Sequence, residues 1–292
     1  MPAPPSRIND FAQGARRRFE SAGIAPAEAA LDAELLAREV LGWDRATWVA
    51  RNIETPPPSF ESRFDNLCTR RVAREPVAYI RGRQEFYGRE FAVTRDVLIP
   101  RPETELLIDE ALLLLPALAA SRQLRLIDIG TGSGCLVVTL AVEFPQARYF
   151  ATDISDAALA VARANAARHG VGDRITFVRG AYFAEQPGPF NIVVTNPPYV
   201  AESEQASLAP EVVKYEPATA LFGGDDGLRD VREIIDQSSR LLDDDGSLLM
   251  EVGYDQIDRV AAVANESDTL ALVRSRRDLQ GIARVAVIRR CR

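Results

Sequence analysis

The 292 residues, 47% of them hydrophobic and 26% charged, suit one large globular domain or two ordinary ones, which excludes a peptide hormone, a disulfide-stapled miniprotein and a wholly disordered chain. A net charge of -7 argues against a general nucleic-acid binder, whose affinity would have to come from phosphate neutralisation. The charge is uneven: residues 1–100 carry 15 arginines against 14 acids, and the rest of the chain is acidic.

The opening is Pro-rich and charged and has no apolar core followed by small cleavage-site residues, so no secretory signal is expected and a cytoplasmic location follows as an expectation. From Asp10 to Leu41 apolar residues recur at helical spacing, with Phe11, Ala15 and Phe19 in one set and Leu31, Leu35, Leu36 and Val40 in another. The break Gly23-Ile24-Ala25-Pro26 separates two amphipathic helices, and Pro56-Pro57-Pro58 precedes a third helical stretch at about 60–74. A small helical domain over 1–82 is expected. The run Glu85-Phe86-Tyr87-Gly88-Arg89-Glu90-Phe91-Ala92-Val93 then flanks a glycine turn with aromatic and β-branched residues, which predicts a β-hairpin linker over 83–100.

Beyond it the longest apolar run, 111–120, is far short of a membrane span and is interrupted by Pro116. Strand-like and helix-like segments then alternate at 124–129, 135–142, 149–152, 157–169, 175–178 and 192–195, a pattern that predicts an α/β fold with a mostly parallel sheet over 101–292. A helix near 229–242, a turn at 243–246, a strand at 247–252 and strands near 271–273 and 284–288 close the chain. Cys68, Cys135 and Cys291 are odd in number and widely spaced, so they read as reduced thiols, with no disulfide framework and no metal site. The one histidine, His169, sits between Arg168 and Gly170, where a helix ends, and is read as a structural cap.

Chemistry gathers at three places. The run Leu126-Ile127-Asp128-Ile129-Gly130-Thr131-Gly132-Ser133-Gly134 ends a strand and opens a helix, where backbone N–H groups are free to meet a ligand. Its spacing is G-x-G-x-G, because Cys135 stands where a dinucleotide fold has its third glycine, and no Gly-Lys-Ser/Thr follows. A second strand ends in Asp153, where an acid can accept from ribose hydroxyls; a tight turn with a helix-capping acid would carry the same residues. The third place is Asn196-Pro197-Pro198-Tyr199, directly after an apolar strand. Prolines have no N–H, so this segment offers acceptors: the Asn196 side-chain oxygen and the Pro197 carbonyl can each take one hydrogen of an NH₂ group. Holding both hydrogens localises the nitrogen lone pair and stabilises positive charge developing on nitrogen during attack on an electrophilic methyl. Tyr199 can pack against the flat target group.

These residues resemble the class I S-adenosylmethionine-dependent methyltransferases that act on planar amino nitrogens. The segments Glu75-Pro76-Val77-Ala78-Tyr79-Ile80, Glu85-Phe86-Tyr87-Gly88, Val97-Leu98-Ile99-Pro100-Arg101-Pro102-Glu103-Thr104-Glu105 and Glu216-Pro217-Ala218-Thr219-Ala220-Leu221 are similar to the bacterial release-factor glutamine methyltransferases. The likeness runs from about Val72 to the C-terminus. It implies a class I, doubly wound methyltransferase fold with a small N-terminal helical domain and a β-hairpin linker. It implies S-adenosylmethionine as cofactor, with S-adenosylhomocysteine as product, held by Asp128, Gly130, Thr131, Gly132, Ser133, Gly134, Asp153, Tyr182 and Asn196, and no metal. Asn196, Pro197, Pro198 and Tyr199 would hold the amide of a glutamine in the Gly-Gly-Gln loop of a peptide chain release factor. Ala181 departs from the family, which usually has an acid just before the aromatic residue. Arg101 and Glu103 read equally as active-site shaping residues or as partners in a surface salt bridge.

The partner expected is therefore a release factor gripped by the helical domain, with no membrane, no direct nucleic-acid contact and a monomeric chain. Three alternatives stay open: methylation of a ribosomal-protein glutamine, methylation of adenine N6, and a non-catalytic cofactor-binding adaptor.

Overall fold

The computed structural model describes residues 7–119 and 123–291; the Pro-rich opening and the end of the apolar run at 111–120 lie outside the described residues. Two compact units emerge, Met1–Gly82 with Pro210–Tyr215 and Arg83–Ala209 with Glu216–Arg292.

In the first unit α1 (Ile8–Ser21) begins where the Asp10 carboxylate accepts the Arg7 backbone N–H at 2.8 Å. Helix α2 (Pro26–Leu41) has proline in its first turn and Gly42 at φ 67° beyond its end, the two positions where these residues fit a helix best. Two short helices escape the sequence reading: α3 (Arg45–Arg51), capped by Asp44 Oδ1 accepting from the Thr47 N–H at 2.7 Å, and, after α4 (Phe60–Val72), α5 (Val77–Arg81). Neither is long enough to display a helical period. Phe19, Leu36, Phe60 and Phe64 fill the core, the last two rings stacked at 5.1 Å. Leu31, expected on the inner face of α2, is 55% exposed; that face is made by Ala29, Ala33, Leu36 and Ala37, and Asp32 turns inward to meet Arg71.

The second unit opens with the expected hairpin, β1 (Arg83–Phe86) antiparallel to β2 (Arg89–Ala92), with Tyr87 and Gly88 both at positive φ as a tight two-residue turn requires. Next comes α6 (Glu105–Leu118), hidden in the sequence because its apolar residues form a nearly continuous run that contains Pro116; its buried face is Leu107, Ile108, Ala111 and Leu115. The alternating region follows as β3 (Arg125–Ile129), α7 (Cys135–Glu143), β4 (Arg148–Asp153), α8 (Asp156–Arg168), β5 (Ile175–Arg179) and β6 (Phe190–Thr195). His169 ends α8, its Nε2 3.0 Å from the Glu90 carbonyl oxygen.

After α9 (Pro210–Tyr215), α10 (Arg229–Leu241) leads directly into β7 (Leu242–Glu251). The turn expected at 243–246 is instead a bulge inside this strand: Phe190 pairs with Leu242 but Ile192 with Ser247, so the Asp-rich residues are accommodated between two regular stretches of pairing. Helix α11 (Ile257–Asn265), also unread in the sequence, precedes β8 (Leu270–Arg277) and β9 (Ala283–Arg290). The sheet order is β5-β4-β3-β6-β7-β9-β8, parallel except for β9 and β8, with helices supplying the rest of the two apolar clusters that cover it. This is the doubly wound, mostly parallel sheet of the class I methyltransferases. The strand order reverses between β3 and β6, the point where open α/β sheets leave a crevice at their carboxyl ends. Among the described residues no helix is long and apolar enough to cross a membrane.

Candidate active site

Register places the three sequence motifs side by side. Ile129 on β3 lies opposite Thr152 on β4 and Thr195 on β6, so Gly130, Asp153 and Asn196 leave the sheet together. They open on one cavity of about 500 Å³, a size that suits a small-molecule ligand. Gly130, Thr131, Gly132, Ser133, Asp153, Tyr182, Asn196, Pro197 and Pro198 all line it. Tyr199 is not among the lining residues, and Asp128 and Gly134 stand behind the loop.

The glycine loop is shaped for close approach. Gly130 and Gly132 sit at φ 70° and 53°, and a Cβ at either would meet nothing within 4 Å, so the space beside their backbone is open. Gly134, at φ 79°, has another duty: a Cβ there would come within 3.1 Å of the Ala162 Cβ, so it lets α7 and α8 pack. Asp153 holds the loop as well as facing the cavity, since its Oδ2 accepts the Gly132 N–H at 3.0 Å and its Oδ1 the Ser155 N–H at 2.9 Å. Asp128 is fully buried, with Oδ2 accepting from the Thr131 hydroxyl at 2.7 Å and Oδ1 without a hydrogen-bond partner. Burial pushes its carboxyl up to about 7. An open glycine cradle and an acid at the end of the adjoining strand, both on the cavity, fit a nucleoside ligand with an amino-acid portion.

Tyr182 adopts φ 50°, its carbonyl oxygen accepting from the Thr152 hydroxyl and its own hydroxyl donating to Asp230 Oδ1 at 3.0 Å. Burial and the nearby Asp230 push that phenol up to about 12, so it stays protonated. Ala181 lines the cavity beside it and offers no acceptor side chain. Cys135 also lines the cavity, but burial raises its thiol to about 12, which removes it as a nucleophile.

On the other side, the Asn196-to-Tyr199 backbone is clasped from several directions. Val200 N–H donates to the Leu221 carbonyl and Gly223 N–H to the Val200 carbonyl, at 3.0 Å each. Gln256 Nε2 donates to the Tyr199 carbonyl at 2.7 Å, and its Oε1 accepts the Gly253 N–H at 3.0 Å. Gly223 and Gly227 are glycines of necessity, since a Cβ would stand 2.4 Å from the Pro198 carbonyl oxygen and 2.3 Å from that of Tyr199. The Asn196 Nδ2 donates to the Thr104 hydroxyl at 3.3 Å, which leaves its Oδ1 as the acceptor for a ligand. Tyr199 turns its hydroxyl towards Glu251 Oε1 at 3.5 Å, and burial raises its phenol well above the ordinary value.

Arg101 pairs with the buried Glu216, whose other oxygen accepts the Ile99 N–H at 3.1 Å, so the pair braces the cavity wall. Sequence reasoning missed Thr104, Glu216, Glu251, Gln256, Gly223 and Gly227. Thr104 and Glu216 lay within quoted motifs; the rest carry no local signal, because only the pairing of distant strands and loops brings them to the site. Among the described residues no cluster of His, Cys, Asp and Glu could hold a metal ion.

Known proteins share both parts of the chain. The family described as the PrmC N-terminal domain matches residues 11–82, and that described as the methyltransferase small domain matches residues 107–223. A release factor glutamine methyltransferase of Bordetella pertussis is 42% identical over 258 residues, 88% of this chain and 93% of that one. One of Cereibacter sphaeroides is 41% identical over 283 residues, covering 97% of this chain and 98% of the relative. Among solved structures, the hMettl16 catalytic domain in complex with an RNA hairpin aligns with a TM-score of 0.56 at 17% identity, over 76% of this chain and 80% of that one, a likeness of fold alone.

Proposed function

The chain belongs to the release factor glutamine methyltransferases, and from that premise we propose that it transfers the methyl group of S-adenosylmethionine to the side-chain amide nitrogen of the glutamine in the Gly-Gly-Gln loop of peptide chain release factors. The observation that carries this reading is the acceptor shelf Asn196-Pro197-Pro198, its one side-chain donor turned to Thr104, opening on the same cavity as the glycine loop and Asp153.

S-adenosylmethionine, when bound, supplies an electrophilic methyl group whose transfer leaves the bonding pair on sulfur. The backbone of Gly130, Thr131, Gly132 and Ser133, backed by Asp128 and Gly134, receives its methionine portion, Asp153 its ribose, and Tyr182 lies by the adenine. Asn196 Oδ1 and the Pro197 carbonyl each accept one hydrogen of the glutamine NH₂, which fixes the nitrogen and turns its lone pair away from the carbonyl. Proline nitrogens cannot compete as donors, so Pro197 and Pro198 offer only acceptors to the nitrogen as it becomes positive. Arg101 and Arg229 line the cavity but are paired with Glu216 and Asp230, so neither opposes that charge unpaired. Alignment of this kind supplies about 7–11 kcal/mol of barrier reduction where the geometry is right. The nitrogen gains the methyl carbon and gives up one hydrogen as a proton.

In this reading residues 1–82 recognise the body of the factor, 83–100 link, and 101–292 carry out the transfer, by a monomer in the cytoplasm with no nucleic-acid contact. The net charge of -7 supports the last point. The test offers labelled methyl donor to a release factor, a ribosomal protein and DNA in parallel, with mass spectrometry of the release-factor peptides. A single added methyl on the Gly-Gly-Gln glutamine is the expected result. Label in DNA or in the ribosomal protein alone would overturn the substrate, and S-adenosylmethionine bound with label passed to none of the three would reduce the chain to a cofactor-binding adaptor.

A further inference from the structure

We propose that Glu251 is a positioning residue for methyl transfer, its carboxylate acting through the Thr104 hydroxyl to set which way the Asn196 amide faces, and through the Tyr199 hydroxyl to hold the far end of the same shelf. The proposal rests on the reading of Asn196 as the acceptor for the target NH₂ and deepens it.

Strand pairing puts the acid there. Thr195 lies opposite Met250, so Asn196 and Glu251 are the next residues of neighbouring parallel strands. Glu251 is 3% exposed, and its hydrogen-bond donors are two neutral hydroxyls: Thr104 to Oε2 at 2.6 Å and Tyr199 to Oε1 at 3.5 Å. A carboxylate in such surroundings stabilises the fold poorly compared with an apolar side chain of the same volume, which asks for another reason for its presence.

The hydrogen-bond directions supply that reason. Thr104 is itself buried, on the single 3₁₀ turn Pro102–Thr104, and has one hydrogen to give. Glu251 accepts that hydrogen, so the Thr104 oxygen is left to Asn196 as an acceptor, and it takes the Nδ2 hydrogen at 3.3 Å. An asparagine amide is close to symmetric in shape, and its terminal torsion is broad and nearly two-fold. Without a fixed acceptor beside it, Asn196 is free to turn over and present N–H groups to the N–H groups of the target. With Glu251 and Thr104 in place, the Nδ2 is committed inward and Oδ1 is the atom left for the substrate. Glu251 touches neither reactant.

The test uses the full-length chain with Thr104→Val and Glu251→Leu, which remove the relay while keeping its volume, and Thr104→Ser and Glu251→Gln, which restore a donor to Glu251 and an acceptor to Thr104. Three readouts are taken: single-turnover methylation of a release factor, calorimetric affinity for S-adenosylmethionine, and hydrogen exchange of the Asn196 side-chain NH₂ in ¹H–¹⁵N spectra, assigned by its loss in Asn196→Ala. Thr104→Val and Glu251→Leu should slow transfer by about 10²-fold, the cost of a small misplacement of a reacting group, with cofactor affinity kept and Asn196 exchange accelerated. Thr104→Ser and Glu251→Gln should recover most of the rate and the protection. Unaltered rate and exchange in Thr104→Val would overturn the proposal, as would a rate loss that tracks lost cofactor affinity and is equally severe in the Ser and Gln variants. Should the unsubstituted chain methylate no release factor, the proposed substrate fails; the exchange measurement, which needs no substrate, still decides the relay.

Discussion

Asn196 is the residue on which the chemistry turns, because it lines the cavity with a side-chain oxygen whose companion nitrogen is already bound to Thr104. Asn196→Ala should cut single-turnover methylation by about 10²–10³-fold, the scale set by removal of one preorganised group at a centre of developing charge, while calorimetry shows S-adenosylmethionine still bound. Retained turnover would remove it from the mechanism. A second consequence at this scale concerns Glu251, whose carboxyl is pushed up to about 7, first by burial and further by Glu103, against the opposing pull of the Thr104 and Tyr199 hydroxyls and of Arg284. The folded state therefore binds a proton between the ordinary glutamate pKa and about 7 that the unfolded chain has lost, so stability from this group is present at acid pH and declines as pH rises through that window. Glu251→Gln, which cannot titrate, should gain on the unsubstituted chain by up to about 1.4 kcal/mol for each unit of that shift as denaturant melts move from pH 5 to pH 8. A stability difference flat across that range would contradict the assignment of the titration to Glu251.

Strands and the loops between them decide whether such residues meet. The Gly223-to-Gly227 turn lies so close to the Pro198 and Tyr199 carbonyl oxygens that a methyl group cannot enter. Gly227→Ala adds a Cβ 2.3 Å from the Tyr199 oxygen at φ 72°, so the shelf must shift; transfer should fall by about 10²-fold with cofactor binding preserved. Gly281→Ala, at φ 80° with nothing within 4 Å, pays only the left-handed backbone cost of about 1–2 kcal/mol, and its rate should be unchanged. Equal rates in the two variants would show that the clasp has no bearing on the chemistry. Elements of this unit were legible in the sequence to different degrees for physical reasons. Strands β3 and β6 announce themselves because they are short β-branched runs bounded by glycine or by Asn-Pro, and β4 as an aromatic-to-threonine run that ends in Asp153; the motifs at their ends could be placed on one edge from that alone. Helix α6 did not, since a continuous apolar run shows no period, and α3 and α5 are too short to show one. The bulge in β7 reads as a turn because Asp-Asp-Asp-Gly has turn chemistry, and only pairing with β6 overrides it. Thr104, though inside a quoted segment, gave no sign of its role, and Glu251 and Gln256 were silent, because their partners lie 92, 52 and 57 positions away.

Taken as a whole, the molecule has a discontinuous first unit: the chain leaves the active-site shelf, contributes α9 to the helical unit and returns at Glu216. What holds α9 in that unit is an ionic cluster around Arg71, which is 1% exposed and donates to Asp32 Oδ2 at 2.6 Å, Glu28 Oε1 at 2.7 Å and Glu211 Oε1 at 3.0 Å. Arg74 takes the other Glu211 oxygen at 2.5 Å, and the Tyr215 hydroxyl donates to the Ala73 carbonyl at 2.8 Å. Such a cluster adds little net stability over an apolar equivalent, yet loss of its centre strands the acids that it balanced. Burial raises the Asp32 carboxyl even with Arg71 beside it, so without Arg71 the charge on Asp32 is paid for in full. Arg71→Ala should therefore destabilise the helical unit by about 3–5 kcal/mol at pH 7.5, read from thermal or denaturant unfolding. The loss should shrink towards pH 5, because Asp32 and Glu211 can then escape their penalty by taking up protons. Asp153 and the glycine loop belong to the other unit, so calorimetric affinity for S-adenosylmethionine should survive at temperatures where the variant's helical unit remains folded. A variant as stable as the unsubstituted chain at both pH values would mean that the Tyr215 and Arg74 bonds of α9 suffice, and that Arg71 does not organise the cluster.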